Sequence, residues 1–187
     1  DFKQAYEKLT NAKFPEHFKL SHKAEPTISA YDTREIHEIH AINYAAHEYF
    51  TSNIPEHIKA IINERSCGYP CELGYAPQHW GLIDELKSDG YTQEQMINAS
   101  LAVLDARGNL YPRLRDRITI PLFDNRQSRI LGFAGRALTD DTKTKYLLPS
   151  TTKAFCKKNY LYGHIERNPP FVTIVEGYFD SIRLSSL

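Results

Sequence analysis

The stretch ITIPLFDNRQSRILGFAG, residues 118–135, decides the class of fold. Two β-prone runs, ITIPLF and RILGFAG, flank DNRQS, a cluster of residues that turns favour, so the segment reads as a hairpin. Pro121 has no N–H to give a neighbour, which predicts that the first strand lies at an edge or carries a bulge. Further strand candidates follow in KYLLP (145–149), NYLYG (159–163) and PFVTIV (170–175), and DSIRLSSL (180–187) reads as the start of a helix. Upstream of Gly108 the pattern is helical. The expected fold is therefore α+β, a helical N-terminal part followed by a mixed β-sheet subdomain, with a parallel unit beginning near Phe171.

In the upstream part, Phe2, Ala5, Tyr6 and Leu9 recur at helical spacing, and residues 12–33, with Pro15 and Pro26, read as a linker. Thr33 is a suitable N-cap for a long helix to about Phe50, with an apolar stripe of Ile39, Ile42, Ala46, Tyr49 and Phe50. Pro55 suits the first turn of a helix over IPEHIKAIINER. QHWGLIDELKSDG reads as a helix stopped by Gly90, and Thr92 with Gln95 forms a capping box for EQMINASLAVL.

With 187 residues, the chain can build one substantial core or two small ones. Its 41% hydrophobic and 25% charged content argues against disorder. No apolar run approaches the roughly 20 residues that cross a bilayer, and DFKQAYEKLT has no signal-peptide pattern. A cytoplasmic protein is expected. Three cysteines make no disulfide framework. The net charge of zero hides an uneven distribution: residues 1–64 carry ten acids against seven bases, whereas residues 107–136 carry seven arginines against two aspartates.

Two features carry chemistry. In TIVEGYFDSI (173–182), Glu176 follows a β-branched run and would stand at the carboxyl end of a strand, where open α/β sheets place ligands. Gly177 permits a sharp turn and Asp180 falls in the first turn of the next helix. Either both carboxylates point into one crevice and suit Mg²⁺, or Asp180 only caps the helix while Glu176 faces water. The second feature is YPRLRDR, where Arg113, Arg115 and Arg117 alternate and share a side if the segment is extended. Such a row suits phosphate oxygens, and Tyr111, Phe133 and Tyr146 offer stacking surfaces for unpaired bases. The competing interpretation is a solvated strand face with aromatic residues in the core.

His37, His40 and His47 fall within about 80° of one another on the long helix, opposite the apolar stripe, and are expected to be solvent-exposed rather than metal-bound. Cys67, Cys71 and His79 fall short of the four ligands of structural zinc, so no zinc site is expected. No GxxxxGK[ST] phosphate loop occurs.

Taken in order, RLRDRITIPLFDNRQSRILGFAGRAL, KYLLPS, FCKKNYLYG and TIVEGYFDSI resemble the RNA polymerase core of bacterial DnaG-type primases. That family carries RFR-R-hydrophobic-PI-D, GF-G-R, KYLNS, F-K-LYG and EGY-D in the same order at similar spacing. LGYAPQHW is similar to the preceding segment, and DFKQAYEKLT resembles the last helix of the amino-terminal zinc-binding domain. The resemblance implies three parts: residues 1–34, a helix and linker like the tail of the zinc-binding domain; residues 35–168, the N-terminal subdomain of the catalytic core; and residues 169–187, the first strand and helix of an incomplete TOPRIM domain.

The function this implies is template-directed synthesis of short RNA primers. Glu176 takes the acidic role of the first TOPRIM motif, in acid/base or metal chemistry, with Asp180 beside it. Arg136, Lys145 and Lys157 match basic positions near the catalytic site, and Arg113, Arg115 and Arg117 lie along the template path. Mg²⁺ or Mn²⁺ is the implied cofactor. Implied partners are single-stranded DNA template, ribonucleoside triphosphates, the RNA primer and a replicative helicase bound through regions absent here, with no membrane. The implied location is the bacterial nucleoid or replisome, or the bacterial host if the gene belongs to a phage or plasmid.

The sequence departs from the family's pattern in places. It ends at Leu187, before the Asp-x-Asp motif that supplies other metal ligands, so these 187 residues alone are expected to be inactive. Residues 63–75 are shortened, and Lys158 stands where the family usually has glycine. Two alternatives stay open: a TOPRIM nuclease or topoisomerase-type DNA-cleaving enzyme, and a noncatalytic module that binds single-stranded DNA or a replication partner.

Overall fold

The computed structural model describes residues 30–52, 54–68, 72–124, 126–139, 142–163 and 172–185. The helix expected over Phe2–Leu9, most of the linker and Cys71 lie outside the described residues. In chain order the elements are α1 (Ala30–Ser52), α2 (Glu56–Ser66), β1 (Gly74–Ala76), α3 (Gly81–Ser88), α4 (Gln93–Asn98), β2 (Ala102–Leu104), β3 (Leu110–Pro112), β4 (Arg117–Phe123), β5 (Ile130–Ala137) and β6 (Tyr146–Leu147). A 3₁₀ turn at Lys157–Asn159 and α5 (Tyr178–Leu184) follow.

β4 and β5 form the expected hairpin, paired antiparallel from Arg117 opposite Ala137 to Phe123 opposite Ile130. Asp124 closes the turn: its Oδ1 accepts from the backbone N–H of Ser128 at 2.9 Å, and its own N–H donates to the Arg129 carbonyl. β1 covers β4 only at Arg117–Thr119, so Pro121 needs no second neighbour, and the pairing bulges between Leu122 and Phe123. The bulge half of the proline argument holds, whereas β4 is an inner strand, with only its Pro121 end left uncovered by β1. The sheet order is β1-β4-β5-β6, with β2 and β3 as a separate pair. The α+β reading stands, and all the described pairings are antiparallel.

Because successive side chains of a strand point to opposite faces, β4 and β5 serve two cores. On one face α1 lays Ile39, Ile42, Ala46 and Phe50 against Ile130 and Phe133, and Leu82, Leu86 and Met96 of α3 and α4 close the layer. Phe50 meets Phe133 edge to face, with ring centroids 5.2 Å apart. On the other face Ile118, Ile120, Leu122 and Ala134 meet Ile58 and Ile62 of α2 and Phe179 and Ile182 of α5. Gly74 lets β1 close under α1, since a Cβ there would lie 2.8 Å from the Phe50 carbonyl oxygen.

Several elements differ from the sequence expectations. α1 starts at Ala30, which puts Thr33 inside the helix. His37 is exposed, but His40 Nδ1 lies 3.1 Å from the Ile130 carbonyl oxygen, and His47 stacks on Phe133 with its Nε2 3.4 Å from Glu72 Oε2. The reason is that α1 packs against the sheet, α3 and α4 together, so it buries a face wider than its aliphatic stripe. The capping box of Thr92 and Gln95 is present, but α4 ends at Asn98; Ser100 turns left-handed at φ 60° and Ala102–Leu104 pairs with β3 instead of extending the helix. KYLLP forms only the two-residue β6, because β5 offers it just Gly135 and Arg136. NYLYG forms no strand; its start lies in the 3₁₀ turn.

Two outcomes check this architecture. Ile120→Ala removes a fully buried side chain between β4 and the α2/α5 layer, and should cost about 2–5 kcal/mol in urea unfolding; a loss well under 1 kcal/mol would contradict the second core. Burial holds the pKa of His47 below its usual 6.5, although Glu72 and Glu48 pull it upward. A folded pKa below the unfolded one means stability is complete above pH 6.5 and falls as pH drops from there through the folded value. His47→Gln should flatten that decline in a series of melting curves between pH 7.5 and 5.

Candidate functional site

The three alternating arginines do not form a row. β3 ends at Pro112, and residues 113–116 are irregular, with Asp116 left-handed at φ 52°. Tyr75 Oη donates to Asp116 Oδ1 at 2.8 Å and fixes this turn; burial, then that bond, push the tyrosine pKa up to about 12. Arg113, half-buried, donates from Nη2 to the Leu148 carbonyl at 2.9 Å. Arg117 donates from Nη1 to the carbonyls of Gly135, Thr144 and Lys145 at 3.3, 3.0 and 3.4 Å. Both guanidinium groups thus clasp the chain around β6 onto β4 and β5. Gly135 makes room for the clasp, since a Cβ there would lie 2.9 Å from Arg117 Cδ. Arg115 alone of the three is exposed, its guanidinium 5.2 Å above the Tyr111 ring.

Arg136 occupies a different setting. It is only 2% exposed, donates from Nη1 to the Ala137 carbonyl and lies 5.3 Å from the ring centroid of Tyr146, its cross-strand partner on β6. Tyr146 in turn meets Tyr178 of α5 at 5.5 Å, and Tyr178 meets Tyr162 edge to face at 4.8 Å. A line of one cation and three tyrosines therefore joins the β5–β6 edge to the first residue of α5. Burial, then the neighbouring Tyr146, raise the pKa of Tyr178, so it stays neutral. Lys145, next to Tyr146, is exposed, and so is Lys157, on the 3₁₀ turn beside a 240 Å³ depression lined by Leu131, Phe155, Cys156 and Tyr160.

Glu176 is not delivered by a strand. Residues 172–175 form none, and Ile174 is 84% exposed, because the sheet edges are β1 and β6 and no described strand lies beside this run. α5 positions the acids instead. It packs Phe179 and Ile182 against α2, and Arg183 Nε donates to the Arg65 carbonyl at 2.9 Å. Gly177 precedes the helix and Asp180 lies in its first turn, as expected. Gly177, the N-cap, has no side chain to cap with, and no hydrogen bond joins Asp180 to the first turn. Both carboxylates are exposed and neither makes a hydrogen bond or ion pair with a described residue.

Among the described residues no group of three His, Cys, Asp or Glu side chains is gathered for a metal. Two uncommitted carboxylates, Glu176 just before the N-cap and Asp180 in the first turn of α5, nevertheless match in kind and number what Mg²⁺ takes from a protein when substrate phosphates complete its shell. Of the three proposed stacking rings, Phe133 lies in the core and Tyr146 is engaged by Arg136 and Tyr178, which leaves Tyr111. Sequence reasoning overlooked Trp80, half-exposed at the start of α3 with its ring 6.5 Å from that of Tyr111. The signal was available: Trp80 is the only tryptophan and sits beside a helix-starting glycine.

Comparison with known proteins supplies a family. A family model described as DNA primase catalytic core, N-terminal domain, matches residues 45–168. The chain is 36% identical over 159 residues to a DNA primase of Clostridium acetobutylicum, covering 79% of this chain and 26% of that protein. It is 33% identical over 178 residues to a DNA primase of Deinococcus radiodurans, covering 89% of this chain and 31% of that protein. The chain thus spans about a quarter to a third of these relatives. Among solved structures, a DnaG primase catalytic domain bound to single-stranded DNA superposes with a TM-score of 0.59 at 26% identity, covering 70% of this chain and 43% of that one.

The clasp has a measurable consequence. Arg117→Met removes three carbonyl contacts, and charged hydrogen bonds contribute about 1.5–3 kcal/mol each when buried, less at this partly exposed site. Hydrogen exchange at the Ala137 amide, which donates to the Lys145 carbonyl, should become about tenfold faster. Unchanged exchange there would show that Arg117 holds nothing.

Proposed function

The chain belongs to the DNA primase family whose shared unit is the N-terminal domain of the catalytic core, and from that premise we propose that the complete protein synthesises short RNA primers on single-stranded DNA. The observation that carries the reading is the line from Arg136 through Tyr146 to Tyr178. It sets the basic β5–β6 edge and α5, which carries Asp180 in its first turn and follows Glu176 by two residues, in one framework, as phosphoryl chemistry on a polyanion requires.

Within that reading Glu176 is the first acid of a TOPRIM domain that begins near residue 169, with Asp180 beside it. Residues 35–168 are the N-terminal subdomain. Glu176 and Asp180 would hold Mg²⁺ or Mn²⁺, which when bound neutralises charge on the reacting phosphates. Lys145 and Lys157 attract the phosphates of ribonucleoside triphosphates and the primer. Arg136 is a positioning residue: its buried guanidinium orients Tyr146 and the lysine next to it. Arg115 meets the template directly, while Arg113 and Arg117 shape the surface on which it stands. Binding of single-stranded DNA by a solved DnaG catalytic domain supports this template role. A replicative helicase would engage other regions of the protein.

The test is primer synthesis by the complete protein on a single-stranded template. Glu176→Gln should lower the rate by about a hundredfold or more while template affinity stays within twofold. Synthesis at the wild-type rate would remove Glu176 from the chemistry, and a collapse of template affinity would reassign it to binding.

A further inference from the structure

We propose that Tyr162 is a positioning residue for the two carboxylates: its ring seats Tyr178, the first residue of α5, and so sets where Glu176 and Asp180 stand. The proposal rests on the reading that these acids hold the metal, and adds the group that fixes their place. NYLYG (159–163) pairs with no strand, yet its side chains alternate as they would in one. Tyr160 and Tyr162 are half-buried, and Leu161 between them is 62% exposed. Tyr160 meets Phe155 with ring centroids 5.3 Å apart, and both belong to the core built on Ile118, Ile120 and Leu122. One end of the segment is thus rooted in the sheet. Burial, then the neighbouring Tyr162 and Tyr178, raise the pKa of Tyr160, which places it in the same ring cluster.

The other end reaches α5. Tyr162 meets Tyr178 at 4.8 Å with an interplanar angle of 88°, the edge-to-face arrangement that sets the positive rim of one ring against the negative face of the other. Gly163 follows with φ 107°, which side chains rarely adopt, and a Cβ there would lie 3.2 Å from Ser181 Oγ. The segment therefore meets α5 at Tyr178 and closely approaches it at Ser181, the residues on either side of Phe179 and Asp180. Tyr146 also touches Tyr178, but at 5.5 Å and tilted by 51°, and its ring is shared with Arg136. Tyr162 supplies the second contact that fixes the plane of the Tyr178 ring.

The acids depend on that seat. α5 has seven residues, about half of what a helix needs to persist alone, so its placement comes from packing. Glu176 precedes the N-cap and follows a run without a strand partner, so Tyr178 is its nearest anchored neighbour. A Cβ on Gly177 would lie 2.7 Å from Asp180 Oδ2, so that carboxylate folds back over the residue next to Glu176. A tyrosine that only filled space would change stability; one that positions the acids changes metal affinity as well.

The experiment uses the complete protein, with Mn²⁺ binding read by electron paramagnetic resonance and hydrogen exchange read at the Ser181 amide, which donates to the Gly177 carbonyl. Tyr162→Ala should weaken Mn²⁺ binding by about two- to tenfold, the contribution of one edge-to-face ring pair, and speed that exchange without metal, while template affinity holds. Tyr162→Phe keeps the ring and should recover most of both. Gly163→Ala leaves both tyrosines unaltered and should also weaken Mn²⁺ binding, so the test stands even where Tyr162→Ala does not fold. Glu176→Gln is the reference for the acids. If it weakens Mn²⁺ binding while the Tyr162 and Gly163 variants bind Mn²⁺ like wild type, the positioning role is refuted and the acid assignment survives. If Glu176→Gln binds Mn²⁺ like wild type, the acid assignment falls and the proposal with it.

Discussion

The pairing of β4 with β5 is the constraint on which everything else depends. Seven cross-strand partners align Ile118, Ile120 and Leu122 on one face and bring Phe133 to the other. Each face then recruits its own helices, α1 with α3 and α4 on one side and α2 with α5 on the other. Because strand side chains alternate, a slip of one residue would exchange the two faces and lose both cores together. The turn at Asp124 and the bulge beside Phe123 hold that register.

The same pairing sorts the charged residues. Arg117 and Arg136 both lie in the hairpin, on opposite faces of the sheet, since Arg117 stands opposite Ala137 and Arg136 opposite Ile118. Arg117 reaches carbonyls around β6, and Arg136 reaches Tyr146. Backbone carbonyls and phosphate oxygens compete for the same donors, so a cluster of arginines in a sequence overstates the charge left for a ligand. Arg115 escapes that competition: it is exposed and lies over the Tyr111 ring, away from the carbonyls around β6.

Helix α5 shows how a carboxylate pair can be placed without the strand that the apolar run suggested. Phe179 and Ile182 anchor it on Ile58 and Ile62, and Tyr178 ties its first turn to the sheet. That packing leaves Asp180 exposed in the first turn and Glu176 exposed just before the N-cap Gly177. Their freedom from protein partners follows from the packing of the residues between them.

The hairpin, the capping box at Thr92 and the helix start near Pro55 were legible because turn formation, capping and proline geometry are local, acting over a few residues. The early end of α4, the burial of His40 and His47 and the missing strand at 172–175 were not. Each depends on what a segment meets across the fold: β3 beside Ala102–Leu104, the sheet beneath α1, and the lack of a described neighbour for Val172–Val175. The ordered motifs identified the family by their own residues and singled out the two acids as candidates. Which arginine faces solvent, which ring can stack and how the acids are held were decided only in three dimensions, because donors, ring faces and exposed area are allotted by contacts between residues far apart in the chain.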